Sequence, residues 1–196
     1  MTAAKECAQD ATRRLWRLCR SIAVLIVAVL LFSVTAAGQQ NETVESAAVD
    51  EDGPLRITTS DGRVVIVPKE GQQSAFRPPV ISPDRTAVGA QAEYPNCCTS
   101  YDIPLELVVY SRGKIHRFKG NGLPIFQWVF VDDGRRVAYG QEPVHFGCEV
   151  HYELRDVLTE QLIEQVDVPQ PCGTRLEPPE VDIPDWVKPL RESRAR

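Results

Sequence analysis

Cysteine and histidine side chains form the grouping in this chain whose types and spacing suggest chemistry. His145, Cys148 and His151 are spaced by three residues, and the vicinal pair Cys97-Cys98 lies upstream. Sulfur and imidazole together suit copper or zinc, and neighbouring thiols can undergo redox exchange. Positions three apart on a β-strand point to opposite faces, so the three would converge only if the segment before Cys148 forms a loop that turns them inward. A metal-binding or thiol-redox function is therefore kept as the alternative, and no metal ligand is assigned.

Most of the cysteines follow an apolar segment near the amino end. The chain has six cysteines, and two of them, Cys7 and Cys19, precede that segment and are expected to stay free. Four others are predicted to form disulfide bonds in an exported chain, namely Cys97, Cys98, Cys148 and Cys172. Four cysteines allow three pairings, and the spacing leaves the choice open. Each bond would add about 2–4 kcal/mol, so we expect a stabilising role.

Acidic residues and known motifs give no indication of catalysis. Asp84, Asp132 and Asp133 lie in short turn sequences, where an aspartate side chain caps backbone amides. The sequence holds no nucleophile elbow, Gly-rich phosphate loop or zinc-protease helix. We therefore predict a protein that is not an enzyme, with no catalytic residue and no cofactor. A hydrolase whose site forms only in an oligomer is a third hypothesis.

The first 37 residues resemble an export signal in their layout. Five basic residues precede an uncharged run of 17 residues at positions 21–37, which ends in small residues that suit signal peptidase. Residues 1–37 are thus predicted to be a signal peptide or a signal anchor. The remainder would be periplasmic or extracellular, and it would contact the inner membrane only through residues 21–37 if these are not cleaved.

Net charge limits the kind of partner. Beyond residue 37 the chain carries 17 Lys and Arg against 25 Asp and Glu, a formal charge of −8. Binding to nucleic acid depends on clustered Lys and Arg, so nucleic acid is excluded as the expected partner.

Composition divides the rest of the chain into three parts. Residues 38–54 are polar and acidic and are predicted to be a flexible linker. Residues 55–170 form the predicted β domain. Residues 171–196 are rich in proline and are predicted to be an extended tail, with a short helical turn at 185–190 that docks Trp186 and Val187 as the alternative.

The predicted β domain consists of paired apolar runs on either side of turn residues. β-branched and aromatic residues flanking Asp, Gly and Pro are typical of antiparallel hairpins. The paired runs are 55–59 with 63–67, 80–82 with 86–92, 105–110 with 115–118, 125–131 with 135–141, and 149–157 with 161–166. The first pair is an N-terminal hairpin, and the other four pairs form two units of four strands each.

The two four-stranded units form an internal repeat. Asp84 maps to Asp133 at an offset of 49, and Glu106 maps to Glu153 at an offset of 47, which is the spacing of propeller blades. Segments that resemble the repeats of Tol-type periplasmic β-propellers are Ser82-Pro83-Asp84 with Val88-Gly89, Trp128 to Phe130, Asp133 to Tyr139, and Tyr152 to Val157. The resemblance covers residues 75–166. It implies a bacterial exported protein that contacts other proteins, and it implies no catalytic residues.

Two blades are fewer than a closed propeller needs. Propellers close with about four to eight blades, so this chain would leave edges and apolar faces uncovered. We predict an all-β fold in which two blade-like four-stranded antiparallel sheets and the N-terminal hairpin stack as a small sandwich or an incomplete propeller. The predicted inter-sheet core comprises Val108, Val137, Leu154 and Ile163, with Trp128 and Phe130 beside them.

The repeat also predicts which cysteines lie close together. It places Cys97-Cys98 and Cys148 in equivalent loops at one end of the domain, so a bond from either of the pair to Cys148 is expected, with Cys172 joined to the remaining one. The leading hypothesis is an exported binding or scaffold module that uses this loop end, near Cys97, Tyr101 and His145, or an open sheet edge. Candidate contact residues are the aromatic side chains Tyr94, Tyr101 and Trp128, although packing in the core would also explain Trp128. We expect a protein partner or self-association.

Overall fold

The computed structural model describes residues 42–51, 53–97, 100–145, 147–171 and 181–194. The predicted leader, Cys98 and Cys172 lie outside these residues, so the predictions made for them stay predictions. In the part of the chain that is described, no helix combines the length and the apolar character needed to span a membrane.

Twelve strands and one short helix provide the regular structure of the described residues. The strands are β1 (Val44–Val49), β2 (Leu55–Thr59), β3 (Val64–Val67), β4 (Ala75–Phe76), β5 (Val80–Ile81), β6 (Ala87–Tyr94), β7 (Ile103–Ser111), β8 (Lys114–Lys119), β9 (Ile125–Val131), β10 (Arg136–Gln141), β11 (Glu149–Asp156) and β12 (Leu162–Pro169). The helix is α1 (Lys188–Arg194), which follows a 3₁₀ turn at Asp185–Val187. A second 3₁₀ turn at Asp132–Gly134 joins β9 to β10.

The strands form three antiparallel sheets, and none of the three closes into a barrel. Sheet A contains β1, β2 and β3 in that order. Sheet B contains β6, β7 and β8, with β4 and β5 both paired to β6. Sheet C contains β9 to β12, each paired to the next along the chain. The predicted all-β class and the two units of consecutive antiparallel strands are therefore confirmed.

Sheet B is buried on both faces because its side chains alternate between two cores. Along β7, Val108 and Tyr110 pack against sheet A, whereas Leu107 and Val109 pack against sheet C. Both sets are almost fully buried. A strand with two buried faces carries a continuous apolar run, and the sequence Leu-Val-Val-Tyr within β7 has that character.

Sheet C has the same double burial, but its second face packs against the end of the chain. Val137 and Tyr139 of β10 face sheet B, and Ala138 between them faces the C-terminal segment. Val187 and Leu190 of that segment are fully buried against this outer face of sheet C. The order of layers is thus sheet A, sheet B, sheet C and the C-terminal segment.

The predicted single inter-sheet core is wrong in its arrangement. Val108 lies between sheets A and B, Val137 lies between sheets B and C, and Leu154 lies on the outer face of sheet C. Ile163 is 44% exposed. It falls at a register shift in which Leu154 pairs with Glu164 and the next residue of β11 pairs with Leu162, so the bulge leaves Ile163 unpaired at the edge.

The predicted flexible linker contains a strand, which corrects that prediction for residues 44–49. β1 pairs with β2 in sheet A, and Val44 is buried in the core between sheets A and B. The backbone N–H of Val44 donates to the carbonyl of Arg85 at 2.7 Å, and the Arg85 side chain donates to the carbonyls of Val44 and Glu45. These long-range hydrogen bonds stabilise a strand in a segment whose local composition favours disorder.

The predicted extended tail is also corrected, because residues 185–194 form the 3₁₀ turn and α1. Pro189 is the second residue of α1, a position in the first turn where proline is tolerated. Burial of Val187 and Leu190 gives this short helix a stability that its length alone would not provide. The alternative prediction of a docked helical turn is the one that the structure supports.

Equivalent turns of sheets B and C lie side by side. A Cβ atom added to Gly134, in the turn between β9 and β10, would lie 2.6 Å from the Cβ of Ser82, in the turn between β5 and β6. Because β6 and β10 both start at these adjacent turns, they run to the same opposite end. The described residues that follow β6 and β10 therefore share that opposite end, as the repeat predicts.

Aspartates in the turns make the free energy of unfolding depend on pH. A hydrogen bond from Thr59 lowers the pKa of Asp61, and backbone N–H donation from Thr159 lowers the pKa of Asp156. For Asp84, burial opposes ionisation, but hydrogen bonds from Ser82 and Thr86 outweigh it and lower the pKa. An aspartate whose pKa is lower in the folded chain than in the unfolded chain stabilises the fold at pH values above its unfolded pKa. This contribution is lost as the pH falls below about 4, towards the pKa of the folded chain.

We therefore expect the free energy of unfolding, measured by urea denaturation, to fall as the pH is lowered from 5 to about 2.5. The double variant Asp84→Asn with Asp156→Asn should show a flatter profile, with an effect below about 1 kcal/mol per residue because both side chains are largely exposed to screening. An identical pH profile for the variant and the parent chain would contradict this assignment.

Candidate functional site

The loop end holds some of the residues proposed from the sequence. Cys97 and His145 are exposed, and Tyr101 is 54% exposed. Cys148 is disulfide-bonded. Its pairing stays a prediction, since Cys98 and Cys172 lie outside the described residues. In the described ranges, no group of three or more His, Cys, Asp or Glu is arranged to hold a metal ion.

His151 takes part in a different arrangement from the one considered for a metal. Its Nδ1 lies 2.5 Å from Oδ1 of Asp167, and its Nε2 lies 3.2 Å from Oε1 of Glu153. Both ring nitrogens are therefore engaged by carboxylates on strands β11 and β12. The side chain is mostly buried, so the imidazole is held within the sheet.

Glu153 is the centre of a polar network between sheets B and C. Its side chain is almost fully buried. The hydroxyl of Tyr139 donates to Oε2 at 2.6 Å, and Nε of Arg155 donates to the same oxygen at 2.6 Å. Nε2 of Gln141 donates to Oε1 at 3.1 Å. The partners come from β10 and β11, where register places Tyr139 opposite Glu153 and Gln141 opposite His151.

The network determines the protonation of its members. Burial opposes ionisation of Glu153, but hydrogen bonds from Tyr139, Arg155 and Gln141 outweigh it, so the pKa of Glu153 lies below its ordinary value. Burial, followed by the hydrogen bond and charge of Glu153, raises the pKa of Tyr139. The arrangement therefore keeps an ionised carboxylate and a neutral phenol in the interior, which is a stable pairing of a buried charge with donors.

This network differs from every site predicted from the sequence. The signal is present in β11, where His151, Glu153 and Arg155 alternate with the apolar residues Tyr152 and Leu154. In a strand covered on both faces, such alternation means that one face buries polar groups against polar partners. The sequence does not show that both faces of sheet C are covered. From the sequence alone, the same alternation therefore predicts a strand with one face in solvent.

An open groove of about 490 Å³ lies on the outer face of sheet C. Apolar side chains of Val129 and Leu154 lie at its floor, and Trp186 and Pro189 of the C-terminal segment form one wall. Exposed Ile163 lines it at the β12 edge. The groove is therefore an apolar recess between a sheet and a short helical segment.

Charged residues surround the groove. Those that line it are Asp132, Arg136, Glu164 and Asp185. Nε1 of Trp186 donates to Oε2 of Glu164 at 2.9 Å, which fixes the indole at the wall. Arg136 lies 3.1 Å from Asp132, and Lys188 lies 2.5 Å from Asp185.

The edge beside the groove presents further apolar surface. β12 is an edge strand of sheet C. Leu162 is 43% exposed, and Leu158 in the preceding turn is 42% exposed. Leu158, Leu162 and Ile163 are here called the β12 border, and of the three Ile163 lines the groove.

The three candidate aromatic residues differ in their surroundings. Of these, Tyr101 has the exposed side chain. Tyr94 packs against the core between sheets A and B, and burial together with the charge of Glu106 raises its pKa to about 12. Trp128 packs against the core between sheets B and C, with its ring centroid 5.1 Å from that of Phe130 in an edge-to-face pair. Core packing accounts for Tyr94 and Trp128 in this structure.

Comparison with known proteins yields distant β-rich structures. No family model matches the chain, and no curated protein matches it. Among solved structures, an acylaminoacyl peptidase from Pyrococcus horikoshii is 13% identical with a TM-score of 0.39, covering 66% of this chain and 25% of the peptidase chain. The hydrazine synthase of Kuenenia stuttgartiensis is 16% identical with a TM-score of 0.37, covering 66% of this chain and 38% of that chain. The matched part is thus well under half of either neighbour.

Proposed function

We propose that this chain is an exported, non-enzymatic module that binds a protein partner at the outer face of sheet C. The observation that carries the proposal is the open groove of about 490 Å³ beside Trp186, which the exposed Ile163 of the β12 border also lines. Binding energy at protein interfaces is concentrated in well-packed pockets and in aromatic side chains such as tryptophan. Export is supported by the basic and apolar segments at the start of the sequence.

Binding is favoured over catalysis by how the acid–base groups are used. A general acid or base must reach a substrate proton within about 3 Å. Glu153 is almost fully buried and is occupied by internal donors, and both nitrogens of His151 face carboxylates. Cys148 is disulfide-bonded, so it offers no thiolate to a metal or a redox partner.

The layering supports a relation to the Tol-type propeller repeats. Sheet C is a four-stranded meander, and β6, β7 and β8 of sheet B repeat the order of β10, β11 and β12. The turns that precede β6 and β10 are adjacent. In a propeller the outer face of sheet C would be covered by a further blade. In this chain a short helical segment covers it in part, which leaves the groove open to a partner.

Site-specific photocrosslinking in the cells that produce the protein tests this proposal. A photoreactive amino acid placed at Ile163 should form a discrete crosslinked product with another protein, and the purified partner should then bind the purified chain. The matched control is Val64, which is 49% exposed on β3 at the edge of sheet A. Equal crosslinking from both positions, or none from position 163, would rule out binding at the outer face of sheet C.

A further inference from the structure

We propose that the groove accepts a segment of a partner protein that carries a large apolar side chain flanked by lysine or arginine. The inference rests on the proposed function and specifies the chemistry of its ligand. Apolar floor residues and the Trp186 wall would enclose the apolar side chain, and the charged rim would select the neighbouring residues.

The size and lining of the groove fit an apolar anchor. At about 490 Å³ it lies within the range of about 300–1,000 Å³ that is typical of ligand pockets. Leu154 at the floor is 3% exposed and belongs to the core of sheet C, so the floor is rigid. Trp186 is held by its bond to Glu164, which gives a preformed aromatic wall. A rigid recess loses little entropy when an anchor enters it.

The charge of the rim selects a basic segment. Three carboxylates, those of Asp132, Glu164 and Asp185, line the groove with one guanidinium, that of Arg136. Arg136 pairs with Asp132 and Lys188 pairs with Asp185, whereas the bond that Glu164 receives from Trp186 is from a neutral donor. Among the described residues Glu164 makes no ion pair, so a lysine or arginine of a partner would be complementary to it at the groove.

The same charges disfavour a second copy of this chain as the occupant. β12 carries Glu164 and Asp167 but no lysine or arginine. Edge-to-edge pairing of β12 with its own copy would bring these carboxylates together, and like charges across an interface are repulsive. A basic segment from another protein removes that repulsion.

Synthetic peptides provide the test. The probes are ten-residue peptides with the central sequence Lys-Lys-Leu-Phe-Lys-Lys, a charge-reversed version with glutamates, and a version with alanines in place of Leu-Phe. Binding to the isotope-labelled chain is followed by the indole N–H resonance of Trp186, which reports on the bond to Glu164. The basic apolar peptide should shift this resonance with saturation, and the other two should bind at least about tenfold more weakly.

Matched variants localise the effect. Glu164→Gln should weaken binding of the basic apolar peptide about three- to fivefold, as expected for an exposed ion pair, and Ile163→Asp should weaken it by a similar factor or more. Glu149→Gln, an exposed acid at the start of β11, should leave binding unchanged.

The outcomes separate the two proposals. Equal binding of the charge-reversed peptide, no saturable shift with the basic apolar peptide, or dimerisation of the chain through this face would overturn the ligand chemistry. If position 163 still crosslinks to a partner whose bound segment is not basic, the binding site stands and this inference alone is wrong. If position 163 does not crosslink, the proposed function fails first.

Discussion

Replacement of Glu153 by alanine is expected to lower the free energy of unfolding by about 3–5 kcal/mol, the usual cost of removing one partner from a buried charged pair. The carboxylate accepts hydrogen bonds from Tyr139, Gln141 and Arg155, and its removal leaves these donors buried between sheets B and C. The guanidinium of Arg155 would lose its charge partner while still packed at the sheet. Urea denaturation of the purified chain at pH 7 measures the change.

A matched control separates the network from general effects on β11. Glu149→Ala removes an exposed carboxylate from the first residue of the same strand and should change stability by less than about 0.5 kcal/mol. If Glu153→Ala costs no more than Glu149→Ala, the carboxylate is not the buried centre of the network. That result would contradict the packing described for sheets B and C.

A second large effect is expected where sheet B contacts Trp128. Gly89 of β6 has no room for a side chain, because a Cβ atom at this position would lie 2.7 Å from Cζ3 of Trp128. Trp128 is held in turn by its edge-to-face contact with Phe130. Gly89→Val should therefore lower the free energy of unfolding by about 3 kcal/mol through overpacking, as measured by urea denaturation.

Steric conflict, not the change of residue type, should cause this loss. Valine has a higher strand propensity than glycine, so a strand position with free space would gain stability from it. Ala48→Val on exposed β1 is the control and should be neutral within about 0.5 kcal/mol. A stabilising or neutral Gly89→Val would show that Trp128 does not cover Gly89.

Local sequence pattern was sufficient to predict most of the strands. Asp-Gly and similar turns between β-branched runs correctly predicted the hairpins from β2 to β12, including the pairing of β9 with β10 and of β11 with β12. These elements are determined by contacts between neighbouring residues in the chain, which is the information that a pattern contains. β4, with two residues, is too short to leave such a pattern.

Long-range contacts determine what the pattern could not predict. β1 has an acidic and small-residue sequence, and its strand conformation depends on β2 and on Arg85, which is about 40 residues away. The order of layers requires knowing which face of each strand is covered. The short helix near the end of the chain is stabilised because Val187 and Leu190 pack on the outer apolar face of sheet C.

The candidate site was predictable in part. The predicted placement of the two equivalent loops at one end agrees with the adjacent turns at the other end. The groove could not be predicted, because it is formed by β9 to β12 together with Trp186 and Pro189 from the tail. The Glu153 network was missed for the same reason, since its burial depends on sheet B.

The face-to-face packing of sheets B and C underlies both the buried network and the open outer face. A double-mutant cycle of Gly89→Ala with Trp128→Leu tests it most directly, because the smaller side chain at 128 makes room for the added Cβ. We predict that the double variant is more stable than the sum of the single changes by at least about 1 kcal/mol. Additivity within about 0.5 kcal/mol would contradict contact between these residues and, with it, the packing of the two sheets.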